Sequence, residues 1–169
     1  MTTHVHPAEK LLRWEATLPA SKFYQKVEAF AQANQGFSCM KFTDSREEFM
    51  PHYLVMSSHS DDRMFERNFG SSTTAVMATV AALIRDTAVL ETIKDSCLMV
   101  WNEDTNTAEQ EGDYNAVALV REGMDYVPII QVGEEHLFIR TFVKKNENMF
   151  FKKGTRVLHF DAKGKYINA

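Results

Sequence analysis

The stretch 136–144 sets five side chains with usable chemistry at every second position: His136, Phe138, Arg140, Phe142 and Lys144. Read as a strand, its period of two places all five on one face and Leu137, Ile139, Thr141 and Val143 on the other. Aromatic rings alternating with cations is what single-stranded nucleic acid binding requires, because bases stack on the rings while Arg and Lys meet phosphates. Each stacked base is worth about 1–3 kcal/mol. Lys145, Lys152, Lys153, Arg156, Lys163 and Lys165 would enlarge the positive field, and Phe150, Phe151, His159 and Phe160 add rings. The expected interface is therefore Phe138, Arg140, Phe142, Lys144, Lys145, Lys152, Lys153, Arg156 and His159. The plainer reading is that the rings fill a second small core and that the lysines protect sheet edges. No RNP, KH or zinc-knuckle motif accompanies the pattern.

Other residues carry weaker signals. Gly70-Ser-Ser-Thr-Thr74 precedes a helix and could present backbone N–H groups to a phosphate, yet helix capping explains it without a ligand. It has no Walker lysine and no G-x-G-x-x-G pattern. His4 and His6 form an H-x-H pair near a terminus expected to be flexible over residues 1–8. Ser57, Ser58, His59, Asp61 and Asp62 include triad residue types, but no nucleophile elbow. Asp125 and Asp161 could serve acid–base chemistry if a histidine, His136 or His159, lay beside them. Cys39 and Cys97 match no zinc or redox spacing and read as small buried residues. These residues assign no catalytic group, no metal ligand and no cofactor.

Charge is distributed unevenly. The chain has 169 residues, 19 basic and 23 acidic, for a net charge of −4. Residues 1–135 hold 11 basic and 21 acidic side chains, and residues 136–169 hold 8 and 2. A basic C-terminal part thus follows an acidic one, which leaves room for a polyanion partner on one side only. No run of apolar residues is long enough to span a membrane, and the N-terminus lacks a signal-peptide pattern. The expected setting is cytoplasmic, and the expected organisation is a single domain over 1–169.

The elements that must position these groups follow from periodicity. Residues 12–18 alternate apolar and polar and predict a strand; a short helix from Pro7 using Leu11, Trp14 and Leu18 is the competing reading. Phe23, Val27, Phe30 and Ala31 predict a helix over 22–34. Strands are expected at 37–43 and 52–57 around a polar hairpin at 44–48, with a short helix at 60–67. Val76, Met77, Val80, Leu83, Ile84 and Leu90 predict one long helix over 73–93. Strands follow at 97–101, 116–120, 126–132, 136–144, 156–161 and 166–167. Pro128 marks an edge or bulge, and 102–113, with five acids, reads as an exposed loop. The expected fold is α+β: one curved, mainly antiparallel sheet of about eight strands with two or three helices on one face and the other face wholly or partly open.

Two stretches resemble known architectures. Val157-Leu-His-Phe-Asp-Ala-Lys-Gly-Lys-Tyr-Ile167 resembles the last hairpin of NTF2-like domains, which implies a cone with a ligand or catalytic cavity. The order of 12–18, 22–34, 37–57 and 73–93 resembles the curved sheet of cap-binding translation initiation factors. Trp14 and Trp101 do not match the cap-stacking tryptophans, so no cap-binding residue is carried over. The leading expectation is a non-enzymatic protein that binds RNA or another single-stranded nucleic acid. The alternatives are an NTF2-like small-molecule or enzyme domain, and an accessory interaction module, viral or otherwise, with a protein partner or a second copy of itself.

Overall fold

The computed structural model describes residues 7–33, 37–41, 53–57, 73–145 and 153–167. Two helices open the chain, α1 (Pro7–Thr17) and α2 (Ala20–Gln32). The segment expected as a strand over 12–18 is thus helical. Leu11 and Trp14 are buried and Leu18 is partly buried, a spacing of three and four that a helix turns to one side. Pro7 supplies the preset φ that favours a first helical turn. Trp14 and Leu18, four residues apart, satisfy both periods, whereas Leu12 fits the alternation alone.

The strands β1 (Phe37–Lys41) and β2 (Tyr53–Ser57) pair antiparallel as a hairpin. Next come α3 (Thr73–Leu83) and α4 (Thr87–Cys97). The single helix expected over 73–93 is broken because Asp86 leaves helical backbone geometry and caps α4, its side chain accepting from Ala88 N at 2.9 Å. This is the ordinary role of Asp at an N-cap. Cys97 ends α4 rather than starting a strand. A separate hairpin, β3 (Met99–Asn102) with β4 (Thr107–Gln110), occupies much of the stretch expected as a loop.

The remaining strands are β5 (Ala116–Arg121), β6 (Tyr126–Val132), β7 (His136–Lys144), β8 (Thr155–Phe160) and β9 (Tyr166–Ile167). With β1 and β2 they form a seven-stranded sheet in the order β1-β2-β7-β6-β5-β8-β9. The α+β class is as expected, but the sheet is mixed rather than mainly antiparallel. The β2–β7 and β5–β8 pairs are parallel. Both join strands distant in the chain, where no short turn dictates direction.

Helices cover both faces, not one. On the inner face α3 and α4 pack over Leu54, Met56, Val117, Leu119, Ile139 and Leu158. On the outer face α1 and α2 place Leu11, Trp14, Phe23 and Val27 against Tyr53, Val55 and Phe138. β2 serves both cores through its alternation, Leu54 and Met56 inward, Tyr53 and Val55 outward. The large inner core and this smaller outer one explain why apolar residues run through β2 without a polar face.

One irregularity decides what β7 can do. Ile129 pairs with Thr141 while the next residue, Ile130, pairs with Ile139, so Arg140 is an extra residue bulged out of the ladder. A bulge of one residue reverses the facing of everything beyond it. The β5–β6 register reaches Ala118↔Ile129, one residue short of Pro128, which has no N–H to give.

Candidate functional site

The bulge takes apart the aromatic face expected on β7. Phe138 is 1% exposed beneath α1 and α2, and Phe142 is 0% exposed in the opposite core. Phe142 meets Tyr126 edge-on, with ring centroids 5.5 Å apart. Neither ring is accessible for base stacking, and the two no longer share a face. Phe160 is buried beside Tyr166 in the inner core.

The expected cations are dispersed. Arg140 is exposed on the outer face, its Nη1 donating to Gln131 Oε1 at 3.2 Å. His159 lies between the inward-facing Leu158 and Phe160, so it is exposed on that same outer face. Arg156 points the other way, donating to Ser96 Oγ at 2.9 Å and lying over the Tyr114 ring. Lys145 Nζ donates to Arg121 O at 3.0 Å. Lys153 is exposed just before β8. Lys144 ends β7 opposite Tyr126. Lys152, Phe150 and Phe151 lie outside the described residues, as do His4, His6, Ser58, His59, Asp61, Asp62 and Gly70. Lys163 and Lys165 are exposed in the turn before β9, where Asp161 Oδ1 accepts both of their backbone N–H groups at 2.9 Å. Those bonds, the Lys165 one foremost, hold the Asp161 carboxyl below its usual range. Asp161 therefore serves its own turn and is paired with neither His136 nor His159.

His136 has a different acid. The side chain of Glu15, on α1, is 5% exposed and that of His136 2% exposed, and Glu15 Oε1 accepts from His136 Nδ1. Oε1 also accepts Glu135 N at 2.8 Å, and Oε2 accepts Glu134 N at 3.3 Å. The turn between β6 and β7 thus wraps its donors around one buried carboxylate, which compensates its lost hydration. Gly133 makes the approach possible, since a Cβ there would stand 2.5 Å from Glu15 Oε2 and 2.6 Å from His136 Cε1.

A wider polar seam continues from this pair. Tyr24, on α2, donates to Glu135 Oε2 at 2.5 Å, and Tyr53 donates to Glu28 Oε1. The two phenol rings lie 5.5 Å apart. Burial first, and then the bond to Glu28, push the Tyr53 phenol well above its ordinary pKa. Burial, with Glu28 nearby, also raises the Cys39 thiol to about 11.

Beside Glu15 the surface opens into a cleft of about 190 Å³ between α1 and the β3–β4 hairpin. Leu12, Glu15, Met99, Val100, Trp101 and Glu134 line it. A small hollow of about 10 Å³ adjoins it, sharing Leu12 and Met99 and bounded by His136 and Gly133. Pockets that combine apolar walls with a few fixed polar groups are the usual form of a ligand site. Sequence reasoning missed Glu15, Trp101 and Glu134 because they meet only through tertiary packing. The one legible hint was Gly133-Glu-Glu-His136, a glycine ahead of a histidine at a turn. No group of acidic, histidine and cysteine side chains suited to a metal occurs among the described residues. Among the described residues no helix is long and apolar enough to cross a membrane.

The hairpin resembling NTF2-like domains does form, as β8, a turn and β9. The likeness to cap-binding factors fails at its first element, because 12–18 is helical. No family model, no curated protein and no solved structure matches the chain.

Proposed function

We propose that this chain is a small-ligand-binding domain whose site is the cleft between α1 and the β3–β4 hairpin. The observation that carries this reading is Glu15. A carboxylate held at the cleft wall by two backbone N–H groups and the His136 ring is pre-organised, so binding would not have to order it first. Trp101, Met99, Val100 and Leu12 add apolar surface around it. The test is a fragment screen on the isotope-labelled protein. Fragments whose saturable shifts centre on Trp101, Met99 and Glu134 support the site, and a screen with no such hit overturns it.

A nucleic-acid reading keeps one specific observation in its favour. Arg140 and His159 are exposed on the same face of the sheet, with Lys153 exposed at the start of β8. From the strand spacings, Arg140 and His159 stand about 15 Å apart. Such a surface would meet phosphates without stacking bases. Filter binding of a short RNA should then show a shallow salt dependence, with a log–log slope of about −1 to −2 for two or three contacts. Absence of binding at low salt contradicts this second reading.

A further inference from the structure

We infer that the cleft takes a protonated amine or guanidinium head group, an inference that rests on the cleft being the binding site. The open valences around it are those of acceptors. Glu15 already accepts three hydrogen bonds, and an ionised carboxylate has about four acceptor positions. One remains, and Oε2, with its single long bond, has the room for it. Glu134 brings a second carboxylate to the rim, and its side chain is exposed. The His136 ring, its side chain 2% exposed, holds the Glu15 carboxylate from behind. The ring bounds the adjoining hollow of about 10 Å³, which suits one water or one donor atom of a ligand.

Charge and shape agree with this. Trp101 lines the cleft, and an indole is the aromatic ring that cations favour most. Among the described residues no lysine or arginine lines the cleft. On the two N-terminal helices, Lys26 lies over the Trp14 ring at 4.7 Å and Lys10 over Phe30 at 5.3 Å. Glu103, Asp104, Glu109 and Glu111 are exposed on and beside the β3–β4 hairpin, so an approaching anion is repelled. The volume of about 190 Å³ is below the roughly 300–1,000 Å³ of sites that enclose drug-sized ligands. It admits a head group rather than a whole metabolite.

The experiment is a set of four isosteric titrations of the full chain, followed by the Trp101 indole N–H and the Glu134 and Glu135 amide resonances. The probes are butylguanidinium, butylammonium, 1-butanol and butyrate. The two cations should give saturable shifts and the other two none. Glu134→Gln, at an exposed position, should weaken cation binding by up to about fivefold, and Trp101→Leu by about two- to fivefold. Both variants should keep the parent melting temperature to within a few degrees. Shifts from 1-butanol or butyrate as strong as those from the cations would refute the cation assignment while leaving the cleft as a site. No shift from any of the four refutes the cation assignment, and the fragment screen then judges the cleft itself. Nα-acetyl-lysine methylamide and its arginine counterpart separate the sources. Tighter binding than the free alkyl cations assigns the head group to a protein side chain, and weaker binding assigns it to a free amine.

Discussion

At the scale of single residues, Gly133, Glu15 and His136 form one unit. Gly133→Ala would drive a methyl to 2.5 Å from Glu15 Oε2, so the carboxylate or the turn must move. The expected cost is about 2–4 kcal/mol, as for other strained or broken buried polar contacts. A denaturant melt that leaves this variant at parent stability contradicts the packing described. Glu15→Gln keeps the shape but removes the charge that strengthens each donor, and a loss of about 1–3 kcal/mol is expected. The buried thiol of Cys97 gives a pH prediction. Burial lifts it from 9.0 to about 12. Because the folded value is the higher one, its contribution to stability is complete below about pH 9 and is lost as pH rises from there towards 12. Cys97→Ala should therefore flatten the alkaline part of a stability-against-pH curve between those limits. Cys97 should also resist a thiol reagent at neutral pH until the protein unfolds.

At the scale of elements, the bulge in β7 explains both what the sequence revealed and what it concealed. The strands β5, β6, β8 and β9 were legible because each is a short apolar or alternating run between turn residues. The alternation on β7 was equally clear, but period-two reasoning has no means to see an inserted residue. Arg140, an ordinary strand residue by type, is the one that falls out of register. Phe138→Ala and Phe142→Ala should each cost about 3–5 kcal/mol, because each ring fills a separate core. Arg140→Ala should stay within about 0.5 kcal/mol, as an exposed substitution does. Deleting Arg140 should be tolerated far better than deleting Thr141, since removing the extra residue restores plain alternation with Phe138 and Phe142 still in their own cores. A deletion of Arg140 as damaging as Phe142→Ala contradicts the register. The break between α3 and α4 was hidden for a related reason. Apolar periodicity continues across 84–86, and only the capping role of Asp86 marks the boundary.

At the scale of the whole molecule, the uneven charge remains but does not converge on one aromatic surface. The basic C-terminal part is dispersed: Arg156 is tied to Ser96, Lys145 to Arg121 O, and Arg140 and His159 stand on the outer face. The acidic side is the more organised one, since α1 and the β6–β7 turn bring Glu15 and Glu134 from distant parts of the chain to a single cleft walled by the β3–β4 hairpin. Beyond the Gly133-Glu-Glu-His136 turn little of this was legible beforehand, because Glu15, Trp101 and Glu134 are far apart in sequence and no local pattern links them. The most direct test of the central claim is a titration of the labelled protein with small fragments, following the Trp101 indole N–H resonance. The account predicts saturable shifts at Trp101 together with Met99 and Glu134, the last two weakened about two- to fivefold by Trp101→Leu without loss of the fold. Shifts confined to the sheet face of Arg140 and His159, with the cleft resonances unmoved, would contradict it.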